Sequence, residues 1–223
     1  MAQPLLHHES TGDERAPVLL LGCSLGTALA MWEPQVAPLA EHLRVIRYDH
    51  RGHGASPVPP GPYEIEDLGR DVLALMDRLG VERASLGGVS LGGMVAMWLG
   101  ANAPDRVERL ILCCTSAHMP PASAWAERAD RVRSARTTEV VADAVVERWL
   151  TPAFAQEHPE TQAWLRAMLL ATDAEGYAAC CGAIERMDLR EALPSIAAPT
   201  LVVSAADDQA TPPEGPPLLP SCR

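Results

Sequence analysis

The feature that most constrains the fold is a glycine-rich turn at residues 86–93. Gly88, Ser90 and Gly92 stand between an apolar, strand-like segment at 84–86 and an alanine- and methionine-rich segment at 94–99 that predicts a helix. Glycines two residues either side of the serine let the chain turn sharply without a Cβ clash. In this nucleophile-elbow pattern, the serine hydroxyl is held clear of the backbone on a strained turn. Ser90 is therefore a candidate nucleophile, and the alternative is a serine that caps the following helix.

Strand and helix patterns alternate along the chain on both sides of this turn. The first strand, at 5–8, is weak, whereas residues 18–21 are uniformly apolar, as in strands buried in parallel sheets. Alternating βα units predict an α/β protein with a mostly parallel sheet and with functional residues at the carboxyl ends of its strands. The segments that read as strands are 18–21, 45–48, 84–86, 107–113 and 200–204, and those that read as helices before the turn are 32–41 and 64–79.

The alternation stops between residues 119 and 187, where no strand pattern occurs. Four helical segments are predicted there, at 125–136, 138–150, 160–171 and 176–187. This predicts a helical insertion between two strands of one domain. The expected organisation is a first part of the core at 1–118, a helical cap at 119–190, a second part of the core at 191–212, and a tail at 213–223.

The net charge and the spacing of the cysteines argue against several kinds of binding partner. The 18 Lys and Arg against 29 Asp and Glu give a net charge of −11, which argues against nucleic acid or an anionic membrane. No apolar stretch approaches the roughly 18 residues of a membrane span. The six cysteines form no C-x-x-C and no metal-like spacing, so we expect free thiols in a reducing cytoplasm and no bound metal. The oligomeric state is left open.

The order of these features resembles the α/β-hydrolase fold, over nearly the whole chain. The resemblance rests on a loop at 22–27, on Asp49-x-Arg51-Gly52-x-Gly54-x-Ser56, on the elbow, on the helical cap and on a strand ending in an acid. More narrowly, the chain resembles 3-oxoadipate enol-lactonases. That narrower likeness is carried by the motifs at 24–27, 31–32, 47–49, 51–56, 59–63, 147–152 and 170–177.

The resemblance implies the roles of several residues in a lactone (carboxylic-ester) hydrolase that needs no cofactor. Ser90 would attack the carbonyl of 3-oxoadipate enol-lactone, a small anionic substrate from the β-ketoadipate pathway of aromatic degradation, and form an acyl-enzyme. The backbone N–H groups of Leu25 and Leu91 would form the oxyanion hole. Asp208 matches the acid of the catalytic triad, with Asp207 as its rival; either could instead cap the next turn.

The histidine of the triad is missing from the expected place. In this fold the order is serine, acid, histidine, but all seven histidines of the 223 residues precede Asp208. His53 is expected to be structural, and His118 is a weak substitute for the base. Five of the last twelve residues are proline. We therefore expect a chain truncated relative to the family after Pro213 or Glu214, by a shifted frame or an incomplete gene, with the last strand and helix missing and activity impaired.

Substrate recognition is expected from the cap. Trp125, Arg128 and Arg133 are candidates for the pocket wall and for binding a substrate carboxylate, against the alternative of a solvated basic face. Two other functions remain open. One is a cofactor-free haloperoxidase or carboxylesterase on the same fold, and the other is a hydrolase-fold protein that binds a ligand without catalysis.

Overall fold

The computed structural model describes residues 4–212, which form one six-stranded sheet with helices on both faces. The strands are β1 (His8–Thr11), β2 (Val18–Gly22), β3 (Arg44–Tyr48), β4 (Ala84–Val89), β5 (Val107–Cys113) and β6 (Thr200–Val203). Their order in the sheet is β1-β3-β2-β4-β5-β6. β1 is antiparallel to β3, and the other pairs are parallel. The predicted α/β-hydrolase arrangement, with a mostly parallel sheet, is confirmed.

The helices of the core lie against both faces of this sheet. They are α1 (Glu33–Ala40), α2 (Ile65–Arg78) and α3 (Leu91–Asn102). α3 is apolar all round and almost wholly buried in the larger core cluster, as expected for a helix in the middle of a domain. The opposite face is covered by a smaller cluster around Leu19, Leu21 and Val45, against which Leu39 of α1 packs.

Five α-helices lie between β5 and β6, where the sequence predicted four. They are α4 (Ala122–Ala135), α5 (Glu139–Val146), α6 (Pro152–Glu157), α7 (Pro159–Ala171) and α8 (Ala174–Arg186). The short helix α6 was not predicted; it begins at Pro152, with Thr151 as its N-cap accepting from the Phe154 N–H. Gly52 and Gly176 meet backbone to backbone, because a Cβ on either would overlap the other. This contact fixes α8 to the loop after β3.

That loop is anchored in turn by a buried ion pair. Arg51 donates to both carboxylate oxygens of Asp71 on α2, at 2.6 and 2.7 Å. Burial raises the pKa of Asp71 to about 6, against the opposing effect of Arg51. Asp49 accepts from the Leu29 N–H at 2.6 Å and the Ala55 N–H at 3.0 Å. These bonds hold together the loops at the carboxyl ends of β2 and β3.

At one edge of the sheet, the position of the first strand differs from the sequence prediction. The first strand was predicted at 5–8 but is found at His8–Thr11, because pairing with β3 determines it rather than hydrophobicity. Leu6 is buried in the core without belonging to a strand. At the other edge of the described sheet, Leu201 of β6 is 58% exposed and Val203 44%. The predicted tail at 213–223 lies outside the described residues.

No helix between residues 4 and 212 is both long and apolar enough to cross a bilayer. The same part of the chain contains no group of three or more His, Cys, Asp or Glu side chains that could hold a metal ion.

Candidate active site

Ser90 lies on the turn between β4 and α3 in a conformation that L residues rarely adopt. Its φ is +53° and its ψ −112°. The turn is held by the backbone: the Ser90 N–H donates to the Cys113 carbonyl at 3.0 Å, and the Thr115 hydroxyl donates to the Ser90 carbonyl at 2.7 Å. Although Ser90 precedes the first residue of α3, its side chain makes no capping hydrogen bond. The hydroxyl is therefore not engaged in the role that a capping serine would have.

The glycines around Ser90 allow three backbone segments to meet. A Cβ on Gly88 would overlap the backbone of Gly92, and one on Gly92 would overlap the carbonyl of Gly22 at the end of β2. The Gly92 N–H donates to the Cys23 carbonyl at 3.0 Å. The G-x-S-x-G spacing thus brings the turn against the end of the neighbouring strand.

Two backbone N–H groups near Ser90 have no acceptor in the described part of the chain. Leu91 is the first residue of α3, where N–H groups have no partner within the helix. Neither its N–H nor that of Leu25 donates to any acceptor between residues 4 and 212. Their side chains are buried in the core. The two N–H groups are thus free to act as donors at the carboxyl end of the sheet.

Two buried histidines support the loop that carries Leu25. His53 Nε2 accepts from the Gly26 N–H at 2.9 Å, and its Nδ1 lies 3.2 Å from the Arg51 carbonyl. His50 Nε2 lies 3.1 Å from the Cys23 carbonyl. Burial lowers the pKa of His53, and burial with the nearby His53 lowers the pKa of His50 to about 3. Both rings are therefore neutral and hydrogen-bonded to backbone, as the sequence predicted for His53.

Asp208 lies in the turn after β6 and is bound by its own loop. Oδ1 accepts from the N–H groups of Ala210 and Thr211 at 2.8 and 2.9 Å, and Oδ2 accepts from the Thr211 hydroxyl at 2.7 Å. Burial opposes ionisation, but the bonds from Thr211, Ala210 and Cys114 outweigh it and lower the pKa of Asp208. Asp208 thus both caps its turn and presents an ionised carboxylate.

Cys114 links this acid to the elbow. Its N–H donates to the Val203 carbonyl at 2.8 Å, and its φ is +44°. Burial, then the hydrogen bond to Asp208, raise the pKa of the Cys114 thiol to about 11. The thiol is therefore protonated and donates to the carboxylate.

Two cavities open beside Ser90. The larger, of about 340 Å³, contains Ser90 together with both Asp207 and Asp208. The smaller, of about 260 Å³, joins Ser90 and Leu25 to the cap. Residues lining the larger cavity include Ser24, Thr27, Met31, Cys114, Trp149 and Leu165, and those lining the smaller one include Met119, Trp125, Arg128, Arg148, Trp149 and Tyr177.

Among residues 4–212, no histidine lines either cavity. His118 lies where the chain leaves the core for the cap. Its backbone forms an isolated antiparallel β-bridge with Asp188, where the chain returns, and its Nδ1 is 3.3 Å from the Met187 carbonyl. Since all seven histidines fall within the described residues, this part of the chain brings no imidazole to Ser90.

The predicted cap residues do not all reach the site. Trp125 and Arg128 line the smaller cavity, with the Arg128 guanidinium 4.5 Å from the Trp125 ring. Arg133 does not, because its guanidinium is paired with Glu175 at 2.9 Å on the cap surface. Arg148 and Tyr177 also line the smaller cavity, although the sequence predicted no role for either. Both residues lie in segments that carry the family resemblance, 147–152 and 170–177. That resemblance is the signal in the sequence that could have identified them.

Comparison with known proteins agrees with this geometry. A family model described as alpha/beta hydrolase fold matches residues 16–221. The 3-oxoadipate enol-lactonase 2 of Acinetobacter baylyi is 41% identical over 206 residues, covering 92% of this chain and 77% of that protein. The crystal structure of the enol-lactonase from Burkholderia xenovorans has a TM-score of 0.91 at 45% identity, covering 93% of this chain and 80% of the other. A malate-bound thermophilic esterase from Thermogutta terrifontis has a TM-score of 0.87 at 33% identity, covering 94% and 78%.

Proposed function

This chain belongs to the alpha/beta hydrolase fold family, and from that premise we propose that its site is built to hydrolyse 3-oxoadipate enol-lactone to 3-oxoadipate. By family it is a hydrolase of carboxylic esters or lactones. The observation that carries the proposal is the placement of Ser90: within residues 4–212, its hydroxyl makes no capping bond and lies beside two backbone N–H groups that have no acceptor. The finer assignment to this lactone is supported by the enol-lactonase relatives. It would place the chain in the degradation of aromatic compounds.

In the proposed reaction, Ser90 Oγ adds to the lactone carbonyl. The C–O bond to the ring oxygen then breaks, which leaves an acyl-enzyme and an enol that becomes a ketone. The N–H groups of Leu25 and Leu91 would stabilise the oxyanion, where loss of one donor typically costs about 3 kcal/mol. Water then hydrolyses the acyl group and restores the hydroxyl of Ser90.

The proton of Ser90 needs an acceptor, and the family order places a histidine beyond the acid. Asp208, ionised and lining the larger cavity, is the proposed partner of that base, with Asp207 as the exposed alternative. No histidine follows Asp208 among the 223 residues. We therefore expect this chain by itself to react slowly, because a serine hydroxyl is weakly nucleophilic without a base.

Lactone turnover with and without added imidazole tests the proposal. The expected result is slow loss of 3-oxoadipate enol-lactone, accelerated by imidazole in the wild-type chain beyond the rate in Ser90→Ala, which measures hydrolysis by imidazole alone. Equal rates in the two proteins at every imidazole concentration would overturn the proposal. A matched control is Ser116→Ala, because the Ser116 hydroxyl donates to the His118 carbonyl and the residue lines neither cavity; its loss should leave the rate unchanged.

A carboxylesterase is the second candidate, favoured by the esterase at 33% identity and by the apolar wall of the larger cavity. The same imidazole-assisted assay with p-nitrophenyl acetate separates the two. Preference for the lactone supports the enol-lactonase, whereas preference for the aryl ester supports the esterase.

A cytoplasmic location is also proposed. All five cysteines within the described part of the chain are free thiols, which suits a reducing compartment.

A further inference from the structure

Two arginines in the smaller cavity have no carboxylate partner among the described residues. Arg128 on α4 stacks on Trp125, and Arg148, just after α5, donates from Nε to the Ala144 carbonyl at 3.2 Å. Neither forms an ion pair with any residue between 4 and 212. Elsewhere on the cap, Arg133, Arg166 and Arg186 each hold a carboxylate, at 2.9, 2.7 and 2.7 Å respectively.

The positive charges of the two guanidinium groups repel one another. Burial, then the charge of Arg128, lower the pKa of Arg148. Two like charges in a partly buried wall are unfavourable unless a counterion offsets them. In a chain of net charge −11, the side of the smaller cavity lined by Arg128 and Arg148 is therefore locally positive, and the described residues supply no anion to neutralise it.

Tyr177 adds a third donor to the same wall. Its side chain is fully buried beside the smaller cavity, and its hydroxyl proton has no acceptor among the residues described. A buried hydroxyl normally has a partner, since leaving it unpaired is costly. In the described part of the chain, the Tyr177 proton therefore lacks an acceptor, and neither guanidinium group has a carboxylate partner.

We propose that Arg128, Arg148 and Tyr177 form an anion site that binds a carboxylate of the substrate at the cap end of the cavity. Ser90 and Leu25 line the other end of the same cavity, so a short acyl chain would connect the bound carboxylate to the reacting carbonyl. Guanidinium groups are well suited to a carboxylate because they donate two parallel hydrogen bonds. The proposal that the site selects anionic lactones and esters rests on the proposed function; the anion site itself does not.

Binding of an unreactive dicarboxylate tests this without any turnover. Adipate and its neutral diamide are titrated calorimetrically into the 223-residue chain. We expect adipate to bind at least about tenfold more tightly than the diamide, and Arg148→Gln to weaken adipate binding about tenfold or more. Tyr177→Phe should weaken it by a smaller factor. The control is Arg133→Gln, which removes a cap arginine already paired with Glu175 and should not change adipate affinity.

Thermal unfolding gives a second readout. Because Arg148 is repelled by Arg128, Arg148→Gln should fold with an unchanged or higher Tm, and adipate should raise the Tm of the wild type but not that of the variant. Equal binding of adipate and diamide, or equal losses in Arg148→Gln and Arg133→Gln, would overturn the anion site. Ser90→Ala should retain adipate binding. If the chain binds adipate as expected but never hydrolyses the lactone, the proposed function fails and the anion site stands.

Discussion

The two halves of the candidate site are held in different ways. The Ser90 half lies between central strands, where the N–H groups of Ser90 and Gly92 donate to the carbonyls of Cys113 and Cys23, and where glycines remove the Cβ atoms that would collide. The Asp208 half follows the edge strand β6, and its carboxylate is bound mostly by Ala210 and Thr211 of the same turn. One half is fixed by packing, the other by local hydrogen bonds.

This difference indicates where the site can vary. A nucleophile set by close backbone contacts has one position, because any shift creates a clash with a neighbouring strand. A carboxylate held by a short turn and one thiol depends on a few bonds of about 1 kcal/mol each. The acid half is therefore the more sensitive to local changes in sequence.

Gly92→Ala perturbs the Ser90 half of the site, and of the changes predicted here it should lower the free energy of unfolding most. Alanine is favoured over glycine in a helix by about 1 kcal/mol, yet its Cβ would overlap the Gly22 carbonyl. Backbone cannot rotate away as a side chain can, so we expect a net loss of more than about 3 kcal/mol in the free energy of unfolding, measured by urea denaturation.

Gly80→Ala is the matched control for Gly92→Ala. Gly80 has a φ of +65° but nothing within reach of an added Cβ, so the change should cost about 1–2 kcal/mol of backbone strain alone. If Gly92→Ala were no more destabilising than Gly80→Ala, the elbow would not be fixed by contact with β2.

A pair of identical leucine truncations compares the central and edge strands. Leu86 of β4 is 3% exposed in the main core, whereas Leu201 of β6 is 58% exposed. Leu86→Ala should lower the free energy of unfolding by roughly 2–5 kcal/mol through lost burial and a cavity. Leu201→Ala should change it by less than about 1 kcal/mol. Similar losses in both variants would show that β6 is as firmly packed as the centre of the sheet.

Thr211→Val perturbs the hydrogen-bonded half. It removes the hydroxyl that donates to Asp208, so the pKa of Asp208 should rise towards the ordinary value of about 3.9. The lowered pKa stabilises the folded state above that value, and this stabilisation is lost as the pH falls through the folded pKa. We expect a loss of about 1 kcal/mol at pH 7, limited by exposure to water, that disappears in acid. Thr211→Ser keeps the hydroxyl and should restore most of the stability; a variant difference independent of pH would contradict this role of Asp208.

The packed half is also the half that the sequence predicted best. The apolar runs that became β2 and β4, and the glycines around Ser90, carry their own structural requirements, so their placement follows from local pattern. The strand at His8–Thr11 was misplaced because it is polar and is determined by cross-strand partners, among them Glu9 against Arg47.

The cap shows what local pattern leaves undecided. Arg128 and Arg133 lie on one helix with similar surroundings in sequence, yet Arg133 is paired with Glu175 of α8 and Arg128 faces the cavity. Arg148, just after α5, and Tyr177 of α8 reach that cavity from other parts of the cap. Which charge meets a partner depends on how α4, α5 and α8 pack, and spacing along one helix does not determine this.

Fluorophosphonate labelling of Ser90 tests most directly whether the serine is a preorganised nucleophile without a base among these 223 residues. Mass spectrometry of the intact chain should show slow labelling that added imidazole accelerates about tenfold or more, and no labelling of Ser90→Ala under either condition. Rapid labelling that imidazole does not change would show that a base is already present. Absence of Ser90-dependent labelling even with imidazole would show that Ser90 is not the nucleophile.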